Sequence, residues 1–200
     1  MLLEAGEFAR RLGIENCLEF SPDILIPEER VRGFCKENKC GNYGNNYMCP
    51  PYIGSLDEIK VKLKEFKHGL LLQYSKDIDV KGNREGVLRT KKDFHNMVLQ
   101  IEEFLRAGGI NQVWGMIGGN CDLCDVCKAK SSGPCSQPDK ARTSLEAIGI
   151  DVLGLLDKFG LDNEFHTDKI IWTGCILYAW RVPQADLSSA RSQSNPESTS

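Results

Sequence analysis

The sequence predicts a single α/β domain, a small mixed sheet flanked by helices, with two cysteine-rich loops suited to binding metal. Three observations predict it. Apolar residues recur at helical spacing in some stretches and form short continuous runs in others, so helices and strands alternate along the chain. A length of 200 residues corresponds to about one domain with its own core. Seven of the nine cysteines gather in two stretches, rich in Gly, Asn and Pro, that follow neither period.

Leu2, Ala5, Phe8, Ala9 and Leu12 share one helix face and Gly13 follows as a stop, which predicts a helix over about residues 2–12. Cys17 to Phe20 and Ile24 to Ile26 read as short β-like runs around the turn signal Ser21-Pro22-Asp23. Residues 33–54 hold three cysteines among Gly, Asn, Pro and Tyr, which predicts a long ordered loop of the functional kind. Ser55 and Glu58 form a capping box, and Leu56, Ile59, Leu63 and Phe66 give the helix behind it an apolar face. Gly69 to Tyr74 reads as a strand buried on both faces. Val87, Phe94, Val98, Ile101 and Leu105 mark a long helix stopped at Gly108-Gly109, and Gln112 to Ile117 reads as the next buried strand. Strand, helix, strand in that order implies a right-handed parallel crossover. Thr143 and Glu146 suggest another capping box, Val152, Leu155, Leu156 and Phe159 a helix ended by Gly160, and Lys169 to Tyr178 a final strand. From Pro183 the chain is rich in Ser, Gln and Asn, so the domain is expected over 1–182 and a disordered polar tail over 183–200.

Charge excludes some functions. With 25 basic and 28 acidic side chains the net charge is -3, too balanced for a broad positive field toward nucleic acid or an anionic membrane. The first eight residues place Glu4 and Glu7 where a signal peptide needs a basic start and an apolar run. The longest apolar stretch, Ile170 to Trp180, includes Thr173 and Gly174 and falls short of the ~18–20 residues of a membrane span. A cytoplasmic protein is expected. Its reducing surroundings disfavour disulfides, so clustered thiols read as metal ligands or catalytic groups.

Cys121, Cys124 and Cys127 form a C-x2-C-x2-C run, with Cys135 further on. Three thiolates at successive three-residue steps can wrap three corners of a cubane, as ferredoxin-type loops do for a [4Fe-4S] cluster. Tetrahedral zinc usually takes well-separated pairs, which makes a third cysteine so close an awkward fit. The first loop offers Cys35, Cys40 and Cys49, the last followed by Pro50-Pro51. A cysteine before proline in ferredoxin loops ligates the other cluster, so the two sets can exchange a member. Either way the seven supply four thiolates to one site and three to the other, which leaves one iron without a clustered cysteine. Cys175 is a candidate to complete the second site, although its strand-like run favours an inert buried thiol, and Cys17 reads the same way. His68, His95 and His166 have no ligand spacing to one another, and His166 is the least implausible of them as a ligand. Tyr43, Tyr47 and Tyr52 either shield a cluster or pack the first loop. Gly118-Gly119-Asn120 follows a strand but is not a dinucleotide fingerprint.

Several stretches together resemble one family: Cys35, Cys40, Tyr43-Gly44 and Cys49-Pro50-Pro51, then Gly118 through Cys127, Pro134-Cys135-Ser136-Gln137-Pro138, and Ala141 through Val152. The chain is similar over about residues 25–178 to small prokaryotic predicted metal-binding proteins, domain of unknown function 2284. The resemblance implies metal binding by the seven clustered cysteines, and the iron–sulfur identity comes from their spacing.

Three functions follow as expectations. The first is one or two [4Fe-4S] clusters passing single electrons to a redox partner protein. The second is an enzyme that binds substrate at an open iron. The third is a module in which zinc chiefly supplies folding energy.

Overall fold

Residues 2–180 are described by the structure, a computed structural model, and the tail expected at 183–200 lies outside them. Among these residues five α-helices and four strands follow as α1 (Leu2–Leu12), β1 (Asn16–Phe20), α2 (Glu29–Lys36), α3 (Leu56–Leu63), β2 (His68–Asp77), α4 (Arg84–Ala107), β3 (Gln112–Met116), α5 (Val152–Phe159) and β4 (Lys169–Ala179). The α/β class holds. Leu70 and Leu72 point to one side of β2 and Leu71 to the other, and all three are buried. On the first side Ala5 and Ala9 of α1 and Phe94, Val98 and Ile101 of α4 cover the sheet. On the second, Ile59 and Leu63 of α3 and Leu155 and Leu156 of α5 do so. Burying each such leucine or phenylalanine contributes about 1.5–3 kcal/mol, which explains a leucine run where a half-solvated strand would alternate.

The sheet order is β1-β2-β4-β3, and every neighbouring pair is antiparallel rather than mixed. β2 and β3 do run parallel, as a crossover requires, but β4 lies between them. Burial decides the order. β4 is buried from Gly174 to Ala179 and takes an inner place, whereas β3 is only half-buried over Gln112 to Trp114 and takes an edge. Gly174 permits the fit, because a Cβ there would stand 2.3 Å from the Met116 carbonyl oxygen. One parallel bridge, Ile117 to Ser144, continues beyond β3.

Three local expectations are corrected. Ile24 to Ile26 is no strand; Pro22–Ile24 is a 3-10 turn capped by the Ser21 hydroxyl, which accepts from the Asp23 N–H. The first cysteine loop begins later than expected, because residues from Glu29 to Lys36 are α2. Its sequence signal is weak, with Gly33 inside and no side-chain cap at Glu28, and tertiary bonds hold it: Glu28 N–H donates to the Gly149 carbonyl and Arg32 to the Gly54 carbonyl. Thr143 caps no helix. Its hydroxyl donates to the Met48 carbonyl, and α5 starts later, at Val152, capped by Asp151, whose carboxylate accepts from the Gly154 N–H. The capping box at Ser55 and Glu58 is formed. Among the described residues no helix is long and apolar enough to cross a membrane.

Candidate metal centre

The second cysteine loop hangs on α4. That helix carries Thr90, Lys91, His95 and Glu102 on its buried stripe, at the three- and four-residue steps where apolar residues are expected. Lys91 Nζ donates to Asn120 Oδ1 at 2.8 Å, just before Cys121. His95 Nε2 lies 2.9 Å from the Lys140 carbonyl, which makes that nitrogen the donor. Glu102 is fully buried and accepts from Arg142 at 2.6 and 2.8 Å, from Arg106 at 3.0 Å and from the Gly115 N–H at 2.6 Å. Both ends of the loop are therefore fixed to one rigid element.

Between those anchors Cys121, Cys124, Cys127 and Cys135 line one cavity, which Met48 and Gln137 help to enclose. Burial raises the Cys121 pKa, backbone N–H groups of Leu123 and Arg142 donate to its sulfur and lower it, and the charges of Cys135 and Cys127 raise it again. Gln137 Nε2 stands 3.7 Å from Cys124 Sγ. Such N–H···S contacts favour thiolates.

Cys35 sits in the last turn of α2, Cys40 is exposed and Cys49 is 8% exposed. Burial first, then the charges of Cys40, Cys35 and Cys121, push the Cys49 thiol up to about 12. Cys35 is raised by burial and then by Cys40, while Arg32 opposes the shift. Hydrogen bonds join the loops: Asn46 Nδ2 to the Cys121 carbonyl at 2.8 Å, the Tyr47 hydroxyl to the Gly133 carbonyl at 2.7 Å, and the Thr143 hydroxyl to the Met48 carbonyl at 2.9 Å. Tyr47 and Tyr52 meet edge to face at 4.9 Å, so these tyrosines pack the loop.

The remaining candidates stand apart. Cys175 is fully buried in β4 within the second core, and burial raises its pKa with no contribution from another thiol. Cys17 packs against the other core and is pushed up to about 11, chiefly by burial. His68 stacks on Tyr178 at 5.2 Å, and His166 pairs with Asp162 at 2.9 Å.

The sequence profile described as predicted metal-binding protein (DUF2284) matches residues 19–178. The chain belongs to this family. No curated protein and no solved structure matches it. The donor set fits the family's description. Four thiols share one cavity, and Arg32 Nη1 is buried without a hydrogen-bond partner while its charge bears on Cys35, as an anionic thiolate centre requires. Among the described residues no three His, Cys, Asp or Glu side chains are arranged to hold one metal ion. The four thiols of the second loop have in common that they line one cavity.

Several residues of this candidate centre escape a reading by motif. Lys91 is lowered by burial, which Asp122 first and then the Cys121 and Cys49 thiols oppose, and its Nζ stands 3.8 Å from Asp122 in the second loop. Its signal is positional: in a helix of apolar period it occupies the stripe between Val87 and Phe94. Glu102 is legible the same way beside Val98 and Leu105. Asn46 and Gln137, whose amides bond across or into the second loop, have no such signal.

Proposed function

We propose that this chain is an iron–sulfur protein that transfers single electrons. Cys121, Cys124, Cys127 and Cys135 would hold a [4Fe-4S] cluster through four thiolates, and Cys35, Cys40 and Cys49 a second through three. The observation that carries the reading is the set of four thiols, three of them in a C-x2-C-x2-C run, that line one cavity, with N–H donors at Cys121 and Cys124. A cluster supplies a one-electron couple. The protein's own residues do the rest: α4 fixes the loop, Met48 and Tyr47 cover the cavity, and Lys91 offers positive charge to both sets. Hydrogen bonds from Asn46 and Tyr47 tie the first loop to the second, which supports exchange between the sets, and a redox partner protein of the cytoplasm is the expected electron donor or acceptor.

The experiment is anaerobic purification followed by iron and sulfide counting and electron paramagnetic resonance. A brown protein with about eight iron atoms, falling by about four in Cys124→Ser, is expected. A colourless protein with stoichiometric zinc replaces this reading with a structural zinc module.

A further inference from the structure

A cavity of about 490 Å³ opens on the side of the sheet edge where the Gly118-Gly119 turn, the first residues of β4 and the start of α5 meet. Its size is that of a small-molecule site, about 300–1,000 Å³. Ile150, Leu156 and Trp172 form apolar wall, and Phe34 and Phe165, 60% and 92% exposed, extend it outward. The Trp172 ring packs on the glycine turn: a Cβ at Gly118 would stand 3.0 Å from it, and one at Gly119 3.7 Å. Its N–H is taken by Thr90 at 3.0 Å, so the indole has only apolar surface left to offer.

The charges on the wall divide unequally. Arg30 is neutralised by Asp151 at 2.9 Å and Glu28 at 3.1 Å. Lys169 and His166 both bond Asp162, at 2.8 and 2.9 Å. Glu146 has no ion-pair partner among the described residues; only the Ser144 hydroxyl and its own N–H reach it. Glu146 is exposed to solvent on the cavity wall. Phe34, the neighbour of Cys35 in α2, lines the cavity, so the cavity adjoins the first cysteine segment.

We propose that this cavity binds a small organic cation, an amidine or amine on a flat apolar body, with Glu146 as counter-charge and Trp172 as the apolar and cation–π surface. An anion finds no free cation among the wall's charged groups, whereas a cation finds two carboxylates that lack one, Glu146 and the more outlying Glu164. The proposal is independent of what the thiols hold.

The test uses benzamidine, with benzamide and benzoate as neutral and anionic analogues, titrated calorimetrically into the full-length protein as isolated. Benzamidine is expected to bind at least about 10-fold more tightly than either analogue, and Glu146→Gln to remove about 10-fold of that preference, about 1.4 kcal/mol. The discrimination on the unmodified protein stands whether or not the variant folds. Equal binding of benzamide or benzoate, no benzamidine binding at millimolar concentration, or a folded Glu146→Gln with unchanged preference overturns the proposal.

Discussion

Glu102→Gln is the substitution with the largest expected effect for one heavy atom changed. The Glu102 carboxylate is fully buried and is met by two bonds from Arg142, one from Arg106 and one from the Gly115 N–H. Glutamine keeps one oxygen but turns an NH2 toward a guanidinium, donor against donor. Arg106 is 46% exposed at its side chain and can turn to water, so its share is small, about 0–1 kcal/mol. Arg142 is only 12% exposed and keeps its charge without a counter-ion. Breaking a buried pair in this way costs about 3–5 kcal/mol. For a domain of this size that lowers the thermal midpoint by about 6–20 °C, read by circular dichroism against the exposed control Glu103→Gln. Because the Arg142 N–H donates to Cys121, the variant should also lose metal from the second loop more readily to a chelator. A variant within about 1 kcal/mol of the parent, with unaltered metal release, refutes the idea that Glu102 anchors the loop.

Cys175→Ala should leave the metal content intact and cost about 1–2 kcal/mol in urea unfolding, since the thiol only fills core; loss of iron would make it a ligand. Lys91→Met, nearly isosteric, should move the reduction potential of the bound centre in the negative direction, by about 60 mV for each 1.4 kcal/mol of lost charge stabilisation; an unchanged potential separates Lys91 from both sets. Lys169 and then His166 hold the Asp162 carboxyl well below its ordinary range. A depressed carboxyl contributes stability fully above its unfolded value, near pH 4, and loses it as the pH falls toward the folded one. The acid limb of a stability profile should therefore flatten in Asp162→Asn, and an identical limb would show that the contacts are too solvated to matter.

Periodicity made most elements readable because their faces are simple. The leucines of β2 and the stripe of α4 are buried by the sheet itself, so local pattern and tertiary structure agree. α2 was not readable, since its order depends on Gly54 and Gly149, far along the chain. Strand order was hidden for a related reason. Nothing in the residues between β2 and β3 says that a later strand will separate them, and only relative burial of β3 and β4 decides it. In the candidate site the thiols were legible from spacing, whereas Asn46 and Gln137 act through single amide bonds across the loops and leave no repeat to detect.

The insertion of β4 between its two neighbours has a consequence for synthesis. Ribosomes deliver both cysteine-bearing segments well before Lys169 emerges, and until it does β2 and β3 each present an open hydrogen-bonding margin. Nascent polypeptide stalled upstream of that point should therefore be sticky and loosely organised, with its thiols accessible to metal donors. Completion of the last strand then pairs both margins.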